Sequence, residues 1–355
     1  MAEYRNRRKQ EERIKAVENG RRTQMDERSK RAQMERKRRT RRKKQRRRVL
    51  ISALVEVLIL AVLALTLCWD RGLSAKVSGV LGIFDRPPVT ELDVSGVNSS
   101  NVLLMDVKSG KVIGNLNGEE QIYPASMTKI MTAIVALEAF SDLDHEITLS
   151  ENIFYALDGQ DATQAGFQPG ESVRVRDLVY GVMLPSGAEC CLALADEVSG
   201  SEEAFVEKMN KKAKSIGMKD THFMDCTGLH DPEHYSTAYD IALLLKYALH
   251  NDTFREVAES HFHSTPATNV HPDGITYYGT MFKNMSDTSV TGGEILGGKT
   301  GYTSEAGHCL ASFAQIYGRE YILVTAGAAA DATGVPHILD AKTIYNRLGE
   351  AVAKK

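Results

Sequence analysis

A run of twenty residues, 49–68, constrains this chain more than any other stretch. It contains one charged residue, Glu56, and twenty residues of α-helix span about 30 Å, the thickness of the hydrocarbon core of a bilayer. The run therefore predicts a transmembrane helix over residues 49–69, in which Glu56 is a tolerated charge near the cytoplasmic half. A cleaved signal peptide is the alternative, but its basic region would be far too long.

The segment before this run is strongly basic. Residues 1–48 carry 22 Lys and Arg against 7 Asp and Glu, whereas the rest of the chain carries 22 against 39. No core could bury the densest part, residues 36–48, so we expect a disordered tail. The positive-inside rule places this tail in the cytoplasm and everything after about residue 70 outside the cell. The tail also suits contact with anionic lipid, and the adjoining membrane segment favours that partner over nucleic acid.

The remaining chain divides into a linker with several Gly and Pro residues, 70–96, and a folded domain, 97–355. Two short strands are predicted around residues 101–114, and a mostly helical stretch follows them. Strand patterns return from about residue 261, and residues 336–352 have the apolar spacing of a helix. Strands at both ends with helices between them predict an α+β fold, in which the two ends share one antiparallel sheet beside a helical subdomain.

Ser126 and Lys129 stand three residues apart at the start of an apolar segment that follows Pro124. Pro124 suits the entry to a helix, and a spacing of three places both side chains on one face, one turn apart. An amine buried among apolar neighbours loses its charge more readily than in water, and a neutral amine is a base. The pair predicts a serine nucleophile with a lysine general base, although this spacing also arises by chance.

Cysteines and histidines give no sign of a metal or cofactor site. The five cysteines show no CxxC spacing. We interpret the adjacent Cys190 and Cys191 as small buried hydrophobes and leave a bridge between Cys226 and Cys309 open. The ten histidines show no HExxH or comparable spacing and are interpreted as structural or surface residues. Asp225 and Asp240 are interpreted as turn and cap residues. We therefore predict neither a metal nor a cofactor.

Two further motifs follow the serine and lysine in order. A serine-headed triplet occupies residues 186–188, on a loop between two apolar helical stretches, and a Lys-Thr-Gly triplet at residues 299–301 leads into a strand. With the SxxK motif, they resemble the D-alanyl-D-alanine carboxypeptidases of the low-molecular-mass penicillin-binding proteins. The resemblance covers residues 97–350 and implies the serine β-lactamase/DD-peptidase fold. The surrounding sequence agrees in four stretches: residues 227–229, 234–240, 302–303 and 306–310.

The resemblance implies roles for four side chains. Ser126 would attack the carbonyl between the two terminal D-alanines of a cell-wall peptide, and Lys129 would accept its proton. An acyl-enzyme would form, and water would later release the shortened peptide. Ser186 would relay a proton towards the leaving amine. Lys299 would help to keep Lys129 neutral and attract the substrate carboxylate.

The residues after Lys299 would bind substrate. Thr300 would hydrogen-bond the substrate carboxylate, and Gly301 would let an extended peptide approach the strand. The N–H groups of Ser126 and Tyr302 would stabilise the oxyanion. The implied partners are peptidoglycan stem peptides, with β-lactams as inhibitors. The implied location is the bacterial cell membrane, crossed once, with the N-terminus in the cytoplasm and the catalytic domain outside.

Ala188 departs from the resemblance, because the family usually has Asn at this position. The missing amide leaves the rate and the substrate open, and the adjacent Glu189 need not point the same way. One alternative is therefore a catalytically weak sensor of peptidoglycan or β-lactam with the same fold, and another is a D,D-endopeptidase. A β-lactamase ranks lower, because the chain has no SDN triplet with a nearby deacylating glutamate. A function of the basic tail alone is the remaining alternative.

Overall fold

A computed structural model describes residues 89–285 and 287–354. The predicted basic tail (1–48), the predicted transmembrane helix (49–69) and most of the predicted linker lie outside these ranges. Within them, no helix combines the length and the apolar character needed to cross a membrane.

The described ranges form an α+β domain, with runs of strands near its two ends and most of its helices between them. The strands are β1 (Asn101–Asp106), β2 (Val112–Leu116), β3 (Gln121–Ile122), β4 (Glu146–Thr148), β5 (Ser172–Arg174), β6 (Ser236–Thr237), β7 (Phe262–Ser264), β8 (Thr276–Tyr278), β9 (Ser289–Val290), β10 (Gly293–Thr303), β11 (Gly307–Ile316) and β12 (Arg319–Ala328). The helices are α1 (Lys129–Ala139), α2 (Glu151–Leu157), α3 (Val175–Met183), α4 (Ala188–Ser199), α5 (Glu202–Ile216), α6 (Ala238–Ala248), α7 (Asp252–Ala258), α8 (Thr280–Asn284) and α9 (Pro336–Ala353). One 3₁₀ turn, Ala125–Thr128, leads into α1.

Six strands form the central antiparallel sheet, in the order β2-β1-β12-β11-β10-β9. β1 pairs with β12 along its whole length, from Asn101 opposite Ala326 to Asp106 opposite Tyr321. The two ends of the domain are therefore neighbours in one sheet, which confirms the prediction. Because β1 lies inside the sheet and both of its faces are covered, all six of its residues are buried. This explains why its sequence is apolar without alternation.

Alternate residues of β1 pack into two different apolar cores. Leu103 and Met105 belong to the core shared with most of the helices, whereas Val102 and Leu104 belong to the core shared with α9. Helix α1 runs through the first core with nine of its eleven residues buried. It packs against α3, α4 and α6, as expected for a helix that is apolar on nearly every face. The Ser126 motif therefore sits at the entry to the central helix of the domain.

The start of the folded part differs from the prediction. Val89 and Val94 are buried in the core beside α9, and the N–H of Leu92 donates to the carbonyl of Ile113 at 2.6 Å. Residues 89–96, which the predicted linker includes, therefore pack onto the sheet, because their apolar side chains complete its outer core. Two short helices, α2 and α8, were not predicted, since seven and five residues are too few to show a periodicity.

Candidate active site

Three separate parts of the chain meet at the N-terminal end of α1. The 3₁₀ turn carries Ser126, strand β10 runs beside this turn, and the loop between α3 and α4 carries Ser186. Lys129 is the first residue of α1, so it lies one turn after Ser126. The predicted loop triplet is confirmed for Ser186, but Ala188 already begins α4. The fold thus brings all three sequence motifs to one place.

Four side chains form a continuous hydrogen-bonded chain at this point. Lys129 Nζ lies 3.1 Å from Ser126 Oγ, and Ser186 Oγ lies 3.0 Å from Ser126 Oγ. Lys299 Nζ completes the chain at 3.1 Å from Ser186 Oγ. An amine therefore stands at each end of a pair of hydroxyls, an arrangement in which a proton can pass from either serine to a lysine.

Backbone carbonyls hold the two amines in place. Lys129 Nζ donates to the carbonyl of Thr227 at 2.5 Å, and Lys299 Nζ donates to the carbonyl of Thr300 at 2.9 Å. Both lysines are buried, with 3% and 2% of their surface exposed. Each amine is therefore held by one carbonyl and one serine hydroxyl. These two contacts fix the direction in which the amine points.

Backbone strain accompanies both serines. Ser186 has φ +71°, and Ala125, directly before Ser126, has φ +46°. Left-handed conformations cost non-glycine residues on the order of 1–2 kcal/mol and persist only where the surrounding structure imposes them. At Ser186 the following N–H, of Gly187, donates to the carbonyl of Gly181 at 2.8 Å. The strained backbone places the two hydroxyls against each other.

Two glycines enclose the peptide between Ala125 and Ser126. A Cβ atom at Gly301 would lie 3.0 Å from the nitrogen of Ser126 and 3.1 Å from Cβ of Ala125. A Cβ atom at Gly228, where φ is +82°, would overlap the carbonyl oxygen of Ala125. Gly301 therefore lets β10 pack closely against the turn, in addition to the implied approach of substrate.

A family profile matches most of the described chain. The profile of the peptidase family S11, D-alanyl-D-alanine carboxypeptidase, matches residues 89–330. The chain belongs to this family. The resemblance of the three motifs is thereby confirmed, and the geometry of the site can be compared with what the family pattern implies.

Individual relatives agree with the family. The D-alanyl-D-alanine carboxypeptidase DacF of Bacillus subtilis (strain 168) is 34% identical over 235 residues, which cover 65% of this chain but only 58% of the relative. The D-alanyl-D-alanine carboxypeptidase of Streptomyces sp. (strain K15) is 30% identical over 266 residues, covering 73% of this chain and 88% of the relative. The crystal structure of the Streptomyces K15 DD-transpeptidase is similar with a TM-score of 0.64 at 26% identity, covering 75% of this chain and 100% of that chain. These likenesses confirm the predicted DD-peptidase fold.

The residues predicted to bind substrate lie along β10. Thr300 is almost buried, whereas the side chain of Tyr302 is 55% exposed. The ring of Tyr302 lies 4.6 Å from the ring of His308 on the neighbouring strand. The structure therefore joins Ser126, Lys129, Ser186 and Lys299 directly. Gly301 packs against the backbone at Ser126, and the phenol of Tyr302 is about half exposed beside His308.

The two buried amines affect each other. Burial first, and then the charge of Lys129, hold the pKa of Lys299 well below its ordinary value of 10.5. The lowered pKa lets Lys299 give up a proton more easily than an ordinary lysine, and Ser186 Oγ lies 3.1 Å from its amine.

We expect the contribution of Lys299 to stability to rise with pH. Its pKa is lower in the folded chain than in the unfolded chain, so the unfolded chain binds more protons between the two values. Raising the pH through that interval, which ends near 10.5, therefore increases the free energy of unfolding. Urea titrations at several pH values from about 7 to about 10 should show the wild type gaining stability relative to Lys299→Met. A difference that stays flat would contradict the desolvation of this amine.

Glu189 does not replace the amide that Ala188 lacks. Its Oε1 accepts hydrogen bonds from the N–H groups of Ala165 and Gly166, at 2.6 and 2.9 Å. The N–H of Ala188 donates to the carbonyl of Thr163 at 2.8 Å. Burial raises the pKa of the Glu189 carboxyl. Glu189 therefore anchors the neighbouring loop at Ala165 and Gly166. It does not compensate for the amide that the family usually has at position 188.

The structure also decides the state of four cysteines. Cys190, Cys191, Cys226 and Cys309 are free and buried, so the bridge left open between Cys226 and Cys309 is absent. Burial raises the pKa of Cys191 and Cys309 to about 12 each, which makes these thiols poor nucleophiles. The interpretation of Cys190 and Cys191 as small buried hydrophobes is confirmed. Within the described ranges, no group of three or more His, Cys, Asp or Glu could hold a metal ion.

Three residues at the site were not predicted to act there. The carbonyl of Thr227 receives Lys129, and Asp225 and His234 lie behind it. Thr227 and His234 stand in stretches that agree with the family pattern, but Asp225 was interpreted as a turn residue and His234 as a structural residue. A backbone carbonyl has no sequence signature, so only the folded chain could show this contact.

Proposed function

We propose that this protein is a serine D,D-carboxypeptidase that removes the terminal D-alanine from peptidoglycan stem peptides. The observation that carries the proposal is the continuous chain of Lys129, Ser126, Ser186 and Lys299 at the entry to a buried helix. The names of the Bacillus and Streptomyces relatives support the reaction and the substrate class. The chemistry needs only these side chains, backbone N–H groups and water.

Acylation begins when Ser126 Oγ attacks the carbonyl carbon between the two terminal D-alanines. Lys129, whose Nζ lies 3.1 Å away, takes the hydroxyl proton as the C–O bond forms. The C–N bond then breaks, and the proton reaches the leaving amine through the hydroxyl of Ser186, 3.0 Å from Ser126. Free D-alanine departs, and the rest of the peptide remains as an ester on Ser126.

Water completes the reaction. Its oxygen attacks the ester carbonyl while the lysine amine again takes a proton, and the ester C–O bond breaks as that proton returns to Ser126. The peptide leaves one residue shorter, and the serine is restored. Both tetrahedral intermediates carry a negative oxygen, for which the N–H groups of Ser126 and Tyr302 are the proposed donors.

The substrate carboxylate is assigned to the lysine and threonine of the third motif. Lys299 supplies a cation when protonated, and Thr300 supplies a hydroxyl beside it. Burial of both side chains strengthens these contacts, because little water competes with them. An extended peptide would lie along β10, where β9 pairs only with residues 293 and 294 and no other described strand pairs with the later residues on that edge. β-Lactams would acylate the same serine as inhibitors.

The proposal places the catalytic domain outside the bacterial membrane, anchored by residues 49–69. The tail 1–48 would remain in the cytoplasm, near anionic lipid. The apolar run and its basic flank support this arrangement, and stem peptides lie on the same side as the domain. Full-length protein should resist alkaline extraction from membranes, whereas a chain lacking residues 1–69 should be released. Extraction of the full-length protein would refute the anchor.

Ala188 favours a second candidate, a sensor that is acylated but turns over slowly. The family's usual amide would help to hold the lysine and a substrate carbonyl, and Glu189 points elsewhere. The sensor would form the acyl-enzyme on Ser126 as the carboxypeptidase does. The two candidates therefore differ in the release of product and not in the first step.

The deciding experiment incubates the full-length protein with a peptide that ends in D-alanyl-D-alanine. We expect free D-alanine in many equivalents per enzyme, and a penicillin adduct that mass spectrometry maps to Ser126. An adduct without repeated D-alanine release would support the sensor. Cleavage of a cross-linked dimer would support the endopeptidase, and formation of one would match the name DD-transpeptidase of the Streptomyces structure. Absence of any adduct at Ser126 would reject the proposal.

A further inference from the structure

A buried side-chain path leads from the SxxK motif to Asp225. Thr128, directly before Lys129, has its Oγ1 2.8 Å from Nε2 of His234. Nδ1 of His234 lies 2.9 Å from Oδ2 of Asp225. Thr128 is fully buried and His234 is 2% exposed. The path is therefore shielded from water along most of its length.

The other carboxylate oxygen of Asp225 fixes the turn that receives Lys129. Oδ1 accepts from the N–H of Thr227 at 2.6 Å, from its hydroxyl at 2.7 Å and from the N–H of Gly228 at 2.6 Å. The carbonyl of Thr227 in turn accepts from Lys129 Nζ at 2.5 Å. One carboxylate therefore holds the carbonyl that receives the lysine and, through His234, the residue that precedes the lysine.

Asp225 is ionised in this network. Burial alone would raise its pKa, but the hydrogen bond from His234 and the hydrogen bonds from Thr227 outweigh it and lower the pKa to about 2. The carboxylate accepts from Nδ1–H of His234. Nε2 is then the acceptor for the hydroxyl of Thr128, a tautomer assigned from the network.

The direction of the Lys129 amine depends on these contacts. A neutral amine has two N–H groups and one lone pair, and as a base it must aim the lone pair at the hydroxyl proton. When one N–H points to the carbonyl of Thr227, the lone pair can face Ser126 Oγ, 3.1 Å away. A displaced carbonyl would let the amine rotate away from the serine.

We propose that Asp225 and His234 are positioning residues for acyl transfer to Ser126. They act through Thr128 and Thr227 and do not touch the reacting atoms. The inference rests on the proposed function, because it concerns the rate at which Ser126 is acylated. A merely structural role would change stability without changing that rate.

Asp225→Asn separates the two halves of the network. Asn keeps an oxygen for the N–H groups of Thr227 and Gly228, but its amide nitrogen cannot accept from Nδ1–H of His234. Thr128→Val breaks the opposite end while keeping the shape, and Thr128→Ser keeps the hydroxyl. We expect the rate of acylation by fluorescent penicillin to fall about tenfold to a hundredfold in Asp225→Asn and Thr128→Val, and to be largely restored in Thr128→Ser.

Asp240→Asn is the matched control. Asp240 is a 1% exposed carboxylate that accepts from the N–H of Asp220 at 2.8 Å and the hydroxyl of Thr221 at 2.7 Å, at the start of α6. The Asp240→Asn variant should lose thermal stability to a similar degree as Asp225→Asn and keep the wild-type acylation rate. For release of D-alanine, Asp225→Asn should lower kcat and leave KM nearly unchanged, because the substrate contacts stay intact.

A double variant gives a further test of the path between Thr128 and Asp225. Asp225→Asn with Thr128→Val should cost little more than either single change, because both interrupt the same path. Additive losses would overturn the inference, and so would wild-type acylation rates in both single variants, while the proposed function would stand. A wild type that is never labelled at Ser126 would overturn both. If Asp225→Asn does not fold, the Thr128→Val and Thr128→Ser pair still decides.

Discussion

Lys129→Met is expected to lower the rate of acylation of Ser126 by about a hundredfold to ten-thousandfold, the range found when a positioned general base is lost. Met is similar to Lys in length and suits the apolar surroundings of a side chain that is 3% exposed. The variant loses the amine that lies 3.1 Å from Ser126 Oγ but keeps the serine. Stopped-flow labelling with fluorescent penicillin measures the effect directly.

Three further variants make this result interpretable. Lys211→Met, at an exposed lysine of α5, should acylate at the wild-type rate. Ser126→Ala is the negative control and should not be labelled at all. The melting temperature of Lys129→Met should not fall, because the change removes an amine from a buried site. Wild-type acylation in Lys129→Met would assign the base elsewhere, and loss of acylation in Lys299→Met would then point to a path through Ser186.

Gly228→Ala is expected to lower both stability and acylation. Gly228 has φ +82°, where a side chain costs on the order of 1–2 kcal/mol, and its new methyl group would overlap the carbonyl oxygen of Ala125. Relief of that overlap must move the peptide between Ala125 and Ser126. Since a displacement of about 1 Å at a reacting group can cost on the order of a hundredfold in rate, we expect a loss of that size in penicillin acylation.

Gly200→Ala is a control that separates the effect of backbone strain from the effect of steric overlap. Gly200 also has a left-handed backbone, with φ +78°, but a Cβ there would meet no atom within 4 Å. It follows α4 at the surface, far along the chain from Ser126. This control should lose some melting temperature and acylate normally. If Gly228→Ala matched Gly200→Ala in both measurements, the glycine would not hold the nucleophile in place.

The two predictions concern different parts of one arrangement. Lys129 is the proposed base, whereas Gly228 limits where the peptide before Ser126 can lie. Gly228 is also held by Asp225, whose Oδ1 accepts its N–H at 2.6 Å. The turn at residues 225–228 thus touches the backbone at Ser126 on one side and the amine of Lys129 on the other, which explains how Asp225, interpreted as a turn residue, affects the site.

Local patterns in the sequence predict the motifs and the elements that carry them. Ser126 and Lys129 are three residues apart, so helical geometry alone places them on one face. The apolar run of β1 and the strand patterns after residue 261 predict a sheet made from both ends of the domain, and the pairing of β1 with β12 confirms it. Such patterns are informative because they depend on neighbours only a few positions apart.

Contacts between distant residues do not follow from such patterns. Lys299 and Ser186 are 113 positions apart, and Lys129 and the carbonyl of Thr227 are 98 positions apart. The family pattern implies that the motifs meet, but not that burial holds the pKa of Lys299 well below its ordinary value. It also leaves open where Glu189 points, which the packing of the loop at Ala165 decides.

The sequence by itself predicted the proposed nucleophile and its lysine and determined the elements that carry them, because residue type and short spacing control helix entry and strand formation. The tertiary structure alone decided how the site is held: the carbonyl of Thr227 on the lysine, Asp225 and His234 behind it, and two glycines against the serine backbone. The physical reason is that hydrogen bonds to backbone groups and steric fit depend on atomic positions, and folding brings those positions together from parts of the chain about a hundred residues apart.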